Sequence, residues 1–262
     1  MIRQVPTYQT VIMNVAMGLF IIAWLLPFYF FITRAFGTEG LDNFKAVLGL
    51  PLFPRFYLNS AIIGVSVVAI KGVAVVFAAY AFSRMRFPGK EILFLITLTA
   101  LMIPPAALLV PLFQLMLKLN WLNTYMSVIG PEVAMGLPLM VLLVRVAIDE
   151  IPKDLFEAAE IDGCGHLGKL RYVALPIIVP ALATVTVLTF LHAWNQYLFP
   201  LVFMQDAEMY TVTLSLNYFK GEYGVDIGKI FAAMVLVCLP VIVVYLIAQK
   251  FLQKGLVSGA VK

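Results

Sequence analysis

The sequence predicts an all-α membrane protein with six transmembrane helices. The chain has 262 residues, of which 63% are hydrophobic and 12% are charged, whereas soluble domains contain about 45–50% apolar residues. A helix needs about 20 apolar residues to cross a hydrocarbon core about 30 Å thick. Strands are excluded as the main element, because lipid offers no water to the backbone groups of long apolar runs. We expect a single membrane domain over residues 1–262.

Six apolar segments are long enough to cross a membrane. They are Val11–Ile32, Leu58–Phe82, Ile92–Leu117, Tyr125–Val146, Pro176–Phe203 and Ile230–Phe251. The first is too long for the apolar part of a signal peptide, so we expect it to remain as helix one. Pro104, Pro105 and Pro111 interrupt the third segment, which predicts a kink because proline removes a helical hydrogen-bond donor.

The basic residues near the span ends predict the orientation. Lys and Arg are in excess on the side that holds both termini and the loop between the fourth and fifth segments. Cytoplasmic loops carry such an excess, so we place both termini and this loop in the cytoplasm. The net charge of +4 is explained by these residues, and no basic run interleaved with aromatics indicates a nucleic-acid partner.

The polar loop between the fourth and fifth segments is predicted to hold two short helices. Pro152 suits the first turn of a helix, and Gly163 suits the position just past a helix end. A second short helix is predicted over 166–172, before Pro176 opens the fifth span. Small side chains let a partner approach closely, and carboxylates bind Arg, so this composition favours a docking surface for another protein.

The same loop carries a spaced motif. It reads Glu157-Ala158-Ala159, three residues, Gly163, nine residues, and then Val173-Ala174-Leu175-Pro176. This motif resembles the Glu-Ala-Ala signature of binding-protein-dependent ABC importer permeases, in which Ile is usual at the position of Val173. Three more stretches look like the carbohydrate-importing, maltose-type branch of that family: 79–90, 193–201 and 254–262.

The resemblance implies the type I ABC importer permease fold, with six helices and a cytoplasmic coupling loop. By this resemblance, the residues that couple the permease to an ATPase subunit are Glu157, Ala158, Ala159, Asp162, Gly163, Leu175 and Pro176. It also implies a second homologous permease subunit, two ABC ATPase subunits and an extracytoplasmic solute-binding protein, assembled in the plasma membrane of a bacterium or archaeon. By this resemblance the chain is not an enzyme and binds no cofactor, since ATP and Mg belong to the ATPase subunits.

Two glycine patterns in the loop imitate nucleotide sites. Residues 163–168 match G-x-G-x-x-G, and residues 163–169 match G-x-x-x-x-G-K. Both motifs require a preceding strand and a βαβ unit, and Leu170 stands where the second motif needs Ser or Thr for magnesium. A loop between membrane helices offers neither, so both nucleotide sites are rejected.

Polar residues within the apolar segments are candidates for the solute pathway. Lys71 lies near the middle of the second segment, where a charge costs at least about 2.5–3.5 kcal/mol and must face a partner or a cavity. We leave open whether it is a cavity cation or an ion-paired anchor. Glu132 pairs with Lys71, points to the outer vestibule or lies at the interface, and the interface is the simplest of these interpretations. We expect His192 to be a packing residue and not a metal ligand.

The fifth segment offers groups that suit a sugar. Trp194, Asn195, Gln196 and Tyr197 combine aromatic faces with amide donors, which fit sugar rings and hydroxyls. The alternative is an aromatic belt with an interhelical hydrogen bond. Between the last two segments we expect a surface loop. The resemblance implies that it contacts the binding protein, and its exposed aromatics are typical of interfaces, whereas the alternative is a surface loop with no partner. Its residues are Tyr218, Phe219, Lys220, Gly221, Glu222 and Tyr223.

Two other functions compete with the permease. An ion-coupled secondary transporter needs intramembrane carboxylates, and the apolar segments contain almost none. An intramembrane hydrolase needs a nucleophile with a base, paired aspartates or a metal cluster, and the two histidines at different depths do not supply one. The resemblance to the maltose-type branch instead implies a permease subunit that translocates a sugar or oligosaccharide by alternating access.

Overall fold

The structure is a computed structural model that describes residues 7–222 and 226–258, and the regular elements in these ranges are helices. The α-helices are α1 Thr7–Phe36, α2 Asp42–Leu48, α3 Phe53–Arg84, α4 Lys90–Thr99, α5 Leu109–Lys118, α6 Met126–Asp149, α7 Lys153–Ile161, α8 His166–Gly168, α9 Leu175–Trp194, α10 Leu198–Phe203, α11 Ser215–Glu222 and α12 Ile227–Ser258. Short 3-10 turns cover Ala100–Met102, Pro105–Leu108 and Ala207–Met209, and a π-helix covers Lys169–Ala174.

The helices confirm the predicted membrane-spanning fold. Five of the described helical stretches are long and apolar enough to cross a membrane, namely Val11–Phe36, Phe53–Arg84, Met126–Asp149, His166–Phe203 and Ile227–Gln249. A bent pair, Lys90–Met102 with Pro105–Lys118, passes the same criterion when its halves are taken together. Counting this pair as one span gives the six spans that the sequence predicts.

The third span is broken more sharply than the predicted kink. Its two halves meet at an angle of 94°. Ile103 is extended, with φ −87° and ψ 116°, as expected for a residue before proline. Pro104 is extended too, and Pro105 starts a new turn, where its missing N–H is harmless. The two prolines therefore end one helix and begin another.

The fifth span begins earlier than predicted. Instead of a separate short helix over 166–172, helical backbone runs without a break from His166 through the π-helix Lys169–Ala174 into α9. Pro176 is the second residue of α9 and does not interrupt it. Local π geometry is one way in which membrane helices re-satisfy the backbone groups that a proline leaves free. Residues 166–172 are thus helical, as predicted, but this helix continues into the fifth span instead of ending before Pro176.

The chain divides into two compact units. The first comprises residues 1–53 and 216–238, and the second comprises residues 54–215 and 239–262. In the first unit, Asn43 on α2 donates its amide to the carbonyls of Ala35 and Phe36 at 3.1 and 3.2 Å, which fastens α2 to the end of α1. A single domain over the whole chain stays a prediction.

The core of the second unit consists of two apolar clusters. The first, towards α7, includes Val75, Val141, Val144, Ile148 and Val185. The second, at the other end of the same helices, includes Ile63, Val67, Val128, Ile129 and Ala193. Between them along α3, α6 and α9 lie three buried polar residues, Lys71, Glu132 and Thr189. A polar layer thus separates the two halves of an otherwise apolar core.

Candidate functional site

The predicted coupling helix is α7, and a defined pair of backbone hydrogen bonds ends it. Asp154 lies in the first turn of α7, where a carboxylate suits the positive end of the helix dipole. At the other end, Gly163 has φ +83°. Its N–H donates to the backbone carbonyl of Glu160 at 3.0 Å, and the N–H of Cys164 donates to the backbone carbonyl of Ala159 at 2.8 Å. These two bonds form a Schellman motif, which needs a left-handed residue at Gly163.

Arg84 fastens the end of α3 to the neighbouring loop. Its Nη2 donates to the carbonyls of Ile148 and Ile151 at 2.5 and 2.6 Å. Its guanidinium lies 4.3 Å from the ring centroid of Phe156 on α7. Hydrogen bonds from charged groups contribute about 1.5–3 kcal/mol each. The bonds and the ring contact together join three elements, the ends of α3 and α6 and the buried face of α7.

A second link joins α7 to the π-helix that leads into α9. Lys169 Nζ donates to Glu160 Oε2 at 2.6 Å. This bond lowers the pKa of the Glu160 carboxyl below its ordinary value of 4.5, and the Lys169 charge acts in the same direction. Both ends of α7 are therefore tied to membrane-spanning helices.

The outward side of α7 remains open. Glu157, Ala158, Asp162 and Gly163 are all exposed, and among the described residues no hydrogen bond or ion pair engages the Glu157 carboxylate. The prediction placed both alanines on the docking face, but Ala159 is only 8% exposed and packs inward. Large apolar side chains are exposed on the same loop, namely Leu155, Ile161, Leu167 and Tyr172.

The remaining two predicted coupling residues lie at the start of α9. Pro176 is exposed, and Leu175 is half-buried against the apolar cluster nearest α7. Neither belongs to α7 itself. They mark the point where the π-helix ends and the regular helix of the fifth span begins.

Lys71 is the most deeply buried cation of the described residues. Its side chain is 1% exposed, although it lies near the middle of α3 and bears an ammonium group. It packs against Gly136 on α6, where an added methyl group would overlap the ammonium. Glycine at this position therefore makes room for the lysine head group.

Glu132 lies in the interior and not at the interface, which corrects the simplest of the three predictions. It is 1% exposed. His192 Nδ1 contacts its Oε1, and Gln196 Nε2 donates to its Oε2 at 2.7 Å. The Gln196 side-chain oxygen Oε1 accepts from the backbone N–H of Leu198 at 3.0 Å. The Glu132 carboxylate is thus held by His192 in the last turn of α9 and by Gln196 just beyond the end of this helix.

These polar groups line one cavity. Its volume is about 380 Å³, and its polar lining includes Lys71, Glu132, His192 and Gln196. The broken third span supplies part of the wall through Ile103 and Pro105, so the break between the two halves opens onto this space. His192, which sequence reasoning assigned to packing, belongs to this site. Its spacing of four residues from Gln196 was the signal, because residues four apart in the predicted continuous fifth span would share one helix face. In the structure α9 ends at Trp194, and Gln196 follows it.

The other predicted pathway residues do not line this cavity. Trp194 is 4% exposed and packs its ring against Phe190 and Tyr57, with centroids 5.5 and 6.1 Å apart. Asn195 donates to the carbonyl of Leu191 at 2.9 Å. Tyr197 is 40% exposed at the break between α9 and α10. The aromatic residue expected to stack on a sugar is therefore part of the core.

The end of the second unit that lies away from α7 is closed by amide side chains. Asn59 Nδ2 donates to the carbonyls of Glu208 and Tyr210 at 2.8 and 2.9 Å, and its oxygen accepts from Tyr125 at 2.8 Å. Asn123, at φ +57°, accepts from the N–H of Asp206 at 3.1 Å. These bonds hold the segment after α10 against α3 and the start of α6.

The segment predicted to contact a binding protein is helical, not a loop, over Ser215–Glu222. Its residues Tyr218, Phe219, Lys220, Gly221 and Glu222 are part of this helix, whereas Tyr223 lies outside the described residues. Their contact with a binding protein stays a prediction.

Comparison with known proteins agrees with the resemblance seen in the sequence. The chain is 36% identical over 226 residues to the trehalose/maltose transport system permease protein MalG of Thermococcus litoralis, covering 85% of this chain and 81% of that one. It is 34% identical over 226 residues to the arabinooligosaccharides transport system permease protein AraQ of Halalkalibacterium halodurans, covering 86% and 80%. The trehalose transport system permease protein SugB of Mycobacterium tuberculosis is 33% identical, with coverage of 86% and 83%.

The fold is shared with a chain of known structure, and the sequence matches a family model. A bacterial ABC transporter involved in the import of the acidic polysaccharide alginate contains a chain with a TM-score of 0.81 and 23% identity, covering 93% of this chain and 96% of that chain. At this identity the likeness concerns the fold alone. The family model described as binding-protein-dependent transport system inner membrane component matches residues 72–258. The chain therefore belongs to the family of inner membrane components of binding-protein-dependent transport systems.

Proposed function

We propose that this chain is the permease subunit of an ATP-driven ABC importer that moves a sugar or oligosaccharide across the plasma membrane by alternating access. The observation that carries the proposal is the α7 element, a short helix with an open acidic and apolar face that is tied at both ends to membrane-spanning helices. Such an element suits the transfer of motion from a docked protein into the membrane.

The proposed mechanism follows from the attachments of α7. An ATPase subunit docks on the exposed face, with Glu157 available to an Arg of that partner. When the ATPase pair closes on ATP, α7 moves with it. The Arg84 bonds pass this movement to α3 and α6, and the Lys169–Glu160 bond passes it to the π-helix and α9. Tilting of these helices then changes the side of the membrane to which the cavity opens.

The carbohydrate substrate is proposed from the relatives and from the cavity. The three relatives named above are described as permeases for trehalose or maltose, arabinooligosaccharides and trehalose. The cavity places amide, imidazole and charged groups on an otherwise apolar wall. A few polar groups on an apolar lining are typical of small-molecule sites, in which the polar groups fix the orientation of the ligand.

The proposal includes partners and a location. We infer a second homologous permease subunit, two ABC ATPase subunits and an extracytoplasmic binding protein, in a bacterial or archaeal plasma membrane with both termini in the cytoplasm. ATP and Mg would be bound by the ATPase subunits. In one solved relative, an alginate ABC transporter is in complex with a periplasmic protein that holds an alginate pentasaccharide.

The test is ATP-driven sugar uptake into vesicles that contain the reconstituted complex. Glu157→Ala is expected to lower uptake at least tenfold while the loaded binding protein still docks, because the variant removes the carboxylate offered to the ATPase. Glu150→Ala is the matched control, since it removes an exposed carboxylate just before α7 and outside the motif. Its uptake should match that of the wild type.

Two outcomes would contradict the proposal. Equal uptake by Glu157→Ala and the wild type would remove the coupling role of this residue. Uptake driven by an ion gradient without ATP would instead support the secondary transporter.

A further inference from the structure

The polar layer leaves one charge without a partner. Lys71 is 1% exposed and lines the cavity. Among the described residues no carboxylate oxygen lies within 4.0 Å of its ammonium, and no side chain accepts a hydrogen bond from it. An unpaired ammonium in the interior of a membrane protein is costly, so such groups face a partner or a cavity.

The carboxylate of the same layer is already occupied. Glu132 directs Oε1 to His192 and Oε2 to Gln196, and it acts on Lys71 from beyond ion-pair distance. The Glu132 carboxylate therefore forms no ion pair with Lys71. This leaves the place of a direct counter-charge to an anionic group in the cavity.

The Lys71 head group lies beside Gly136 at the wall of the cavity. Gly136 is the residue next to the Lys71 head group on α6, and it has no side chain to block or bind it. The rest of the wall near Lys71 is apolar, including Leu101, Ile103 and Leu139. In such surroundings the interaction between an ammonium and a carboxylate is much stronger than in water.

We propose that this cavity binds an anionic group of the transported solute, and that the substrate is therefore an acidic saccharide bearing a carboxylate or a sulfonate. This inference rests on the proposed carbohydrate import and narrows its substrate class. Lys71 supplies the charge, and Gln196 and His192 border the same space to bind neighbouring hydroxyls. A neutral sugar would leave the Lys71 ammonium without a counter-charge.

The test compares pairs of disaccharides that differ in one group. Each pair consists of a neutral disaccharide and the same disaccharide with its terminal primary alcohol oxidised to a uronate. Uptake of both by the complete reconstituted complex gives a uronate-to-neutral ratio. Because the same binding protein serves every variant, its own preference cancels when a variant ratio is divided by the wild-type ratio.

Lys71→Met is expected to lower this ratio at least tenfold, and Lys71→Arg should retain most of it. Gly136→Ala is expected to lower the ratio too, since its methyl group overlaps the ammonium without changing the charge. Lys45→Met, which removes an exposed lysine paired with Asp42, should leave the ratio unchanged. Size-exclusion chromatography and basal ATP hydrolysis establish that each variant complex is assembled.

Three results would overturn the inference. An unchanged ratio in Lys71→Met would separate Lys71 from the solute. If the Lys71→Met complex loses the second permease subunit and the Lys71→Arg complex retains it, Lys71 forms an ion pair between the two subunits. A wild-type complex that imports only the neutral sugars would exclude acidic substrates but would leave the proposed carbohydrate import intact. A wild-type complex that imports neither member of any pair would contradict the carbohydrate import itself.

Discussion

The contact between Lys169 and Glu160 is an exposed ion pair that bridges α7 and the π-helix. The pKa of Glu160 is lowered because Lys169 donates a hydrogen bond to its ionised form. A carboxyl whose pKa is lower in the folded state stabilises the fold above its ordinary pKa, and this stabilisation is lost as the pH falls through the folded pKa. For Glu160 that window lies below its ordinary value of 4.5.

The prediction for this pair is a pH-dependent stability difference. Wild type should have a slightly higher Tm than Glu160→Gln at neutral pH, and the difference should vanish on acidification below 4.5. Thermal unfolding of the two purified proteins at a series of pH values measures this difference in Tm. In a Lys169→Met background the Glu160→Gln change should have no pH-dependent effect. A difference that persists without Lys169 would assign the effect to another group.

At the scale of single residues, the sequence predicted the burial of Lys71 but not the contacts of Glu132. The interior position of Lys71 followed from its place in the span, because no interface lay within reach. Glu132 lay close enough to a predicted span end to suggest an interface, and only the packing of α6 on α9 reveals its contacts with His192 and Gln196. Contacts between residues about 60 positions apart depend on helix packing, which periodicity does not encode.

At the scale of the element, the ending of α7 depends on glycine. Gly163→Ala would force a residue with a Cβ atom into φ +83°, which costs about 1–2 kcal/mol because the left-handed region is disfavoured for L-residues. The cost is pure backbone strain, since the added atom would meet nothing within 4 Å. We expect Tm to fall by about 2–8 °C, given about 2–4 °C per kcal/mol for a chain of this size.

Gly165 provides the matched control for this prediction. It lies two residues away, has an extended backbone with φ −71° and ψ −177°, and also has open space around the added atom. Gly165→Ala should therefore keep or slightly raise Tm. Equal losses of stability in both variants would show that the loop tolerates no added side chain for a reason unrelated to φ.

The coupling loop as an element was predicted in part. The position of α7 between Pro152 and Gly163 followed from local signals, because proline and glycine act within one turn of helix. Helix over 166–172 was predicted too, but its continuity with the fifth span was not, since Pro176 indicates a lost donor and not the geometry of the backbone before it. In the structure the π-helix Lys169–Ala174 makes the loop continuous with the fifth span.

At the scale of the whole molecule, apolar length predicted the number of spans. Composition could not predict the 94° break in the third span, because two consecutive prolines permit anything from a kink to a complete turn. The break matters for the site, since Ile103 and Pro105 at this point line the cavity with Lys71. A straight helix there would remove that wall. The shape of the cavity is thus a consequence of the proline pair.

The break in the third span shortens the distance between the two ends of this span. Spin labels at Ile92 and Leu117, both exposed, lie 25 positions apart, so a straight helix would separate them by roughly 38 Å and a right-angled break by roughly 25 Å. With Cys164 and Cys238 replaced by Ser, pulsed electron paramagnetic resonance should give the shorter distance for the otherwise unchanged chain. Replacing both Pro104 and Pro105 by Ala should lengthen it, because the missing donor and the restriction on Ile103 are both removed.

Pro111→Ala is the control for the proline pair. Pro111 lies in the first turn of α5, where a helix needs no N–H donor, so its replacement should leave the distance at roughly 25 Å. If the Pro104/Pro105 variant also keeps the short distance, the break is held by packing around the cavity and not by the prolines. If it lengthens and the uronate-to-neutral uptake ratio falls with it, the bend of the third span and the acidic-solute site depend on the same two residues.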